Sequence, residues 1–225
     1  MEPRQEKLLK LIIENYIKTA EPIGSKFIVE VGDLEVSAPT IRNEMRELEN
    51  SGFLTQPHTS AGRIPTEKGY QYYVENLMQP QEISKKNKEI LTQIIKQTND
   101  EIKKIKNTVK KIAEIANNAI IVAFDKDNIY YTGISNLFTQ PEFLDQVNLS
   151  SISSMFDQCE NCLDSLFETI GSGVSILIGQ NNPFGSACGL IACKLSNNAL
   201  VALVGPTRMN YAESVSLINF IRESI

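Results

Sequence analysis

The chain has a single histidine, His58, in 225 residues. One imidazole with few possible co-ligands around it argues against a catalytic triad and against a histidine-built metal site. No run of eighteen apolar residues occurs, which argues against a membrane-spanning helix. The opening MEPRQEKLLK is charged rather than a basic stub before an apolar stretch, so a signal peptide is not expected either. The expected location is therefore the cytoplasm, with no membrane partner, and there the four cysteines should be reduced thiols. Phosphate-loop and dinucleotide glycine patterns are also missing, so neither an enzyme nor a bound cofactor is expected.

A net charge of −5 argues at first against nucleic acid, but the charge is unevenly spread. Residues 1–78 hold 9 Lys/Arg against 12 Asp/Glu, residues 79–120 hold 9 against 5, and residues 121–225 hold 4 against 10. A basic middle thus lies between two acidic ends, and any DNA contact must come from local placement of cations.

In the first third, Leu8, Leu9, Ile12, Ile13, Tyr16 and Ile17 recur at helical spacing over Arg4–Thr19. Glu21-Pro22 ends that helix, because the residue before proline is driven out of the helical region. Ser25 is the expected N-cap of a short second helix that turns Phe27, Ile28 and Val31 inward and stops at Gly32. Ser37–Asn50 reads as a third helix, capped by Ser37 with Pro39 in its first turn. Ile41, Met45 and Leu48 share one face, and a step of about 100° per residue puts Arg42, Arg46 and Asn43 together on the other, near Thr40. Arginine and asparagine pair bidentately with guanine and adenine edges in the major groove; a plain solvated face is the alternative.

The segment after this helix favours DNA. Phe53–Gln56 reads as a strand, Pro57-His58-Thr59-Ser60-Ala61-Gly62 as a turn-rich tip, and Arg63–Pro65 as a short return strand. Thr66 then caps a further helix, TEKGYQYYVENLM. Three helices and a hairpin are the order of a winged helix-turn-helix, whose third helix enters the major groove while its wing lies on the backbone. The candidate DNA-contacting set is Ser25, Lys26, Thr40, Arg42, Asn43, Arg46, His58, Thr59, Ser60 and Arg63.

These residues resemble the HrcA family of heat-inducible transcription repressors. The resemblance rests on PIGSK at 22–26, APTIRNEMRELENSGFL at 38–54 and QPHTSAGRIPTEKGYQYYV at 56–74. It continues in SNLFTQPEF at 135–143, IGQNNP at 178–183 and GPTRMNYAESVSLINFI at 205–221. It implies repression of chaperone operons through an inverted-repeat operator until heat stress, by a homodimer that the chaperonin keeps active. A palindromic site suits a two-fold dimer. It also implies a sensor-like domain similar to a GAF fold and an inserted dimerisation domain. This chain departs from that pattern: only residues 119–225 follow the linker, so the expectation is that the insertion and part of the sensor-like domain are missing.

Residues 82–118 contain no proline or glycine, and Leu91, Ile95, Thr98, Ile102, Ile105, Val109, Ile112 and Ala116 form a heptad seam. The expectation is one lysine-covered helix that pairs two copies in a coiled coil through Leu91, Ile95, Ile102, Ile105, Val109 and Ile112. An amphipathic helix packed on the chain's own C-terminal domain is the alternative. Beyond it, Ala119–Phe124 and Ile129–Thr132 flank a turn, a helix is expected over about 149–170, and apolar strands are expected at 174–178, 187–195 and 200–204. A closing helix runs over 210–225. This is an α+β domain of antiparallel hairpins with helices on one face.

The expected division is thus 1–78 for DNA binding, 79–118 for the linker and 119–225 for the regulatory domain. Cys159 and Cys162 form a CxxC pair, with Cys188 and Cys193 further on, but a helical and a strand context favour small buried hydrophobes over zinc, and no metal is expected. Arg208 is expected either to meet an acidic ligand or partner beside the helix N-terminus or to tie its loop to the sheet through backbone carbonyls. A ligand- or redox-sensing DNA-binding regulator is the second functional reading.

Overall fold

The computed structural model describes residues 1–225 except 33, 35, 60, 126, 145–155, 157, 158 and 172, and the side chains of 160 and 161. The described chain forms two compact units, Met1–Gln79 and Pro80–Ile225.

In the first unit, α1 spans Pro3–Thr19 and buries Leu8, Leu9, Ile12 and Ile13 along one stripe. It ends at Ala20, whose φ of 56° places it in the left-handed region. Helix α2, Ser25–Val31, is entered through Gly24 as N-cap, and Ser25 is the buried first helical residue rather than the cap expected for it. Gly24 already holds the extended conformation a cap needs, one position earlier. Helix α3, Ala38–Asn50, follows the expected plan: Ser37 accepts from the Thr40 amide, Pro39 sits in the first turn, and Ile41, Met45 and Leu48 are buried. Strands β1 (Leu54–Thr55) and β2 (Ile64–Pro65) pair antiparallel. Thr66 caps α4 (Glu67–Tyr72) by accepting from the Gly69 amide at 3.1 Å, and a π-helical turn over Tyr73–Leu77 succeeds it.

The second unit corrects the single long helix. Helix α5, Lys85–Lys96, stops at Gln97, and α6, Glu101–Ala116, restarts at Asp100. Thr98 Oγ1 accepts from the Asp100 amide at 3.1 Å, and Asp100 Oδ1 accepts from the Lys103 amide at 3.0 Å. These two side chains supply the partners of a new helix start, which an unbroken helix would not need. A connection this short turns the chain back, so α5 packs against α6 instead of extending it. The seam then closes inside one chain. Leu91, Ile105, Val109 and Ile112 have no accessible surface, so no second chain can reach them.

The sheet of this unit has five antiparallel strands in the order β4-β3-β7-β6-β5. They are β3 (Ala119–Ala123), β4 (Ile129–Thr132), β5 (Ser175–Ile178), β6 (Cys188–Lys194) and β7 (Leu200–Pro206). The apolar runs expected at 119–124, 129–132, 174–178, 187–195 and 200–204 all become strands. Helices are not confined to one face, however. Ile121, Leu190, Ala202 and Val204 pack with Leu137 of α7 (Ile134–Phe138) and with Leu163 and Leu166 of α8 (Cys159–Thr169). The opposite side chains of β3, β6 and β7 are equally buried, beneath α6 and α9 (Tyr211–Ser224). The start of the helix expected over 149–170 lies outside the described residues. Strands covered on both faces carry continuous rather than alternating apolar residues, which is why β6 and β7 read as unbroken runs.

Candidate nucleic-acid interface

Helix α3 separates its charges by face. Glu44 and Glu47 turn toward α1, where Arg4 pairs with Glu44 and Gln5 Nε2 donates to Glu47 at 2.8 Å. Arg42, Asn43 and Arg46 point outward and are exposed. A unit rich in acid can therefore still present a cationic helix face, because part of its acid is spent on internal contacts.

A cleft of about 510 Å³ opens between the start of α2, the outer face of α3 and the hairpin loop. Of the expected DNA-contacting residues, Ser25, Lys26, Arg42, Arg46, Thr59 and Arg63 line it. Lys26, Arg42, Arg46 and Thr59 are exposed, whereas Ser25 is buried. Thr40, Asn43 and His58 do not line the cleft: Asn43 lies on the same outer face of α3, Thr40 is half-buried and engaged with the Ser37 hydroxyl at 3.0 Å, and His58 is exposed in the loop. Ser60 lies outside the described residues.

The hairpin loop is held in three ways. Arg63 exchanges both backbone hydrogen bonds with Ile23, at 2.8 and 2.9 Å. A Cβ at Gly62 would stand 2.4 Å from the Ile23 carbonyl, so only glycine permits that approach. Gln56 Nε2 donates to the carbonyls of Thr59 and Ala61, each at 2.9 Å, which closes the loop from inside. The Arg63 side chain turns away from the tip: its Nη2 is 2.9 Å from Glu49 Oε2, and only 15% of the side chain is accessible. Arg63, expected among the DNA-contacting residues, thus lines the cleft with its guanidinium engaged by Glu49.

Gln56 and Glu49 were not legible as site residues. Glu49 carried one usable signal: an acid in the last turn of a helix meets the negative end of the dipole and calls for a cationic partner.

In the second unit the cysteines sit as small hydrophobes. Cys159, Cys188 and Cys193 are buried and Cys162 is half-buried, and none of the four is in a disulfide. Burial pushes the Cys188 and Cys193 thiols up to about 12, and the Cys162 thiol upward, away from thiolate chemistry. The Arg208 guanidinium pairs with Glu142 and donates to Gln140 Oε1 at 3.0 Å.

The family model described as HrcA protein C terminal domain matches residues 70–215. The heat-inducible transcription repressor HrcA of Moorella thermoacetica is 26% identical over 333 aligned positions, covering 100% of this chain and 97% of that protein. The protein of the same description from Clostridioides difficile is 42% identical over 134 positions, covering 60% of this chain and 40% of that protein. An alignment of 333 positions against 225 residues means that the Moorella protein carries roughly a hundred residues this chain lacks, within the aligned span. One solved structure, described as the crystal structure of a hypothetical protein at 2.2 Å resolution, shares the fold. Its TM-score is 0.75 at 18% identity, covering 99% of this chain and 97% of that one. With the family model spanning well over half of its residues, this chain belongs to the HrcA family.

Proposed function

We propose that the chain is a cytoplasmic, heat-inducible transcription repressor that binds double-stranded DNA through its first unit. The carrying observation is the cationic cleft, where exposed Lys26, Arg42 and Arg46 converge beside the hairpin loop. The order of three helices and a hairpin supports reading the unit as a winged helix-turn-helix, with α3 in the major groove and the loop along the backbone. Arg42 and Asn43 then read base edges, while Lys26 and Thr59 contact phosphates. The five-stranded antiparallel sheet covered on both faces supports a GAF-like reading of the regulatory part.

The relatives that match along nearly their whole length are named heat-inducible transcription repressors, which supports the same role here. In this reading the chain acts by binding, on an inverted-repeat operator of chaperone genes, as a homodimer, with the chaperonin as its further partner. Of the six seam residues only Ile95 and Ile102 keep accessible surface, so two copies must meet on a different surface from the seam as a whole. Footprinting upstream of chaperone genes at growth and heat-stress temperatures tests the proposal. The expected result is protection of an inverted repeat at the lower temperature, lost at the higher one. Absence of protection at both temperatures would refute it.

A further inference from the structure

Around the axis of α3, Glu49 lies about 20° from Arg42 when each residue advances about 100°. An acid therefore stands on the face that otherwise carries Arg42 and Arg46. Left free, its carboxylate would repel a phosphate backbone at the edge of the cleft. Arg63 covers it at 2.9 Å, and the two side chains are only 15% and 29% accessible. The same arginine is fixed through its backbone to Ile23, just before α2, by the paired bonds of 2.8 and 2.9 Å. One residue thus joins the end of α3, the approach to α2 and the foot of the hairpin loop.

We propose that Glu49 and Arg63 are positioning residues that hold the hairpin loop at a set distance from the outer face of α3, and that Arg63 makes no phosphate contact of its own. This rests on the DNA-binding reading above. It reverses the role that residue type and loop position suggest for Arg63. It also gives Glu49, an acid on a DNA-facing surface, a reason to be there: it anchors the loop while its charge is neutralised from within the unit.

The two roles differ in the sign of one measurement. Each phosphate contact contributes about −0.9 to the slope of log affinity against log salt. The full chain is titrated against a fluorescein-labelled mixed-sequence duplex of about 30 base pairs, whose binding is dominated by such contacts. Glu49→Gln releases Arg63. If Arg63 only positions the loop, affinity falls about fivefold with the slope unchanged. If released Arg63 instead reaches a phosphate, affinity rises and the slope steepens by about one unit, which overturns the proposal.

Arg63→Ala is expected to lower affinity at constant slope, and a slope reduced by about one unit overturns it too. Exchanging the charges, Glu49→Arg with Arg63→Glu, should return affinity to within about twofold of the parent. A new phosphate contact from an arginine at position 49 would steepen the slope by about one unit, so rescue at an unchanged slope supports the pair and failure of the exchange counts against it.

Amide hydrogen exchange separates this inference from the reading beneath it. Glu49→Gln should speed exchange at the Arg63 and Ala61 amides in the free protein, whether or not DNA binds, and unaltered exchange overturns the clamp. Should Lys26→Ala change neither affinity nor slope, the DNA-binding reading fails while the exchange result still judges the clamp.

Discussion

Replacing Ile105 by alanine distinguishes a seam closed within one chain from a seam shared by two. Ile105 is fully buried, whereas Ile102, its neighbour in the heptad pattern, is 44% accessible. Isoleucine to alanine removes three carbons, worth about 2.4 kcal/mol at about 0.8 kcal/mol each. The cavity left beneath the sheet raises the cost to about 3–4 kcal/mol. For a unit spanning residues 80–225, about 2–4 °C is lost per kcal/mol, so the melting temperature should fall by about 10 °C. Ile102→Ala gives up much less buried surface and should cost under about 1 kcal/mol. Differential scanning calorimetry of the full chain reads both. In a coiled coil between two chains, 102 and 105 are successive core positions and would cost alike. Equal losses for the two variants would therefore refute the folded-back arrangement of α5 and α6.

Arg42→Ala and Asn43→Ala should each weaken binding to a selected duplex by about 1–3 kcal/mol and relax sequence preference, read by gel-shift titration against single-base variants of the site. Arg208→Ala removes a guanidinium that pairs with half-buried Glu142 and donates to Gln140, and should lower stability in urea by about 1–2 kcal/mol. Stability should also decline in alkali. Burial raises Cys193 from 9.0 to about 12, so the folded state holds a proton that the unfolded chain releases. That contribution is complete below pH 9 and is lost as pH rises toward 12. Cys193→Ala should flatten the fall of the urea midpoint between pH 8.5 and pH 10.5, and an unchanged fall would remove burial of this thiol as its cause.

Helix α3 was readable because three local signals agree: the Ser37 cap, Pro39 in the first turn, and one apolar stripe from Ile41 to Leu48. The strands were readable because a strand buried on both sides is a plain apolar run. The turn between α5 and α6 was not, because the apolar spacing runs through it without a change of phase. A heptad repeat says which residues share a face; it cannot say whether that face meets a second chain or the chain's own sheet. Thr98-Asn99-Asp100 was the available clue, as three consecutive cap- and turn-forming residues. The ion pair of Arg63 was not readable for another reason. Its partner Glu49 lies fourteen positions earlier, and nothing local to the loop announces an ion pair across it.

The polar residues of the family-like strings divide by what they face. In the first unit, Lys26, Arg42, Asn43 and Arg46 point to solvent and remain available for a partner. In the second, several of the corresponding side chains are spent on the fold. Asn136 Nδ2 donates to the Ala113 and Asn118 carbonyls, Gln140 Nε2 to the Asn117 carbonyl, and Asn182 Nδ2 to the Cys188 carbonyl. Arg208 ties 140–142 to the loop before α9, and Tyr211 donates its hydroxyl to the Thr207 carbonyl at 2.8 Å. Buried carbonyls left without donors would be costly, so these side chains are needed wherever loops close over a sheet covered on both faces. Ser216, Asn219 and Phe220 of the last string differ: with Glu82, Ile83 and Lys85 they line a cavity of about 460 Å³. The loop-closing residues of the second unit thus hold its fold, whereas Lys26, Arg42 and Arg46 of the first lie exposed on α3 and beside it.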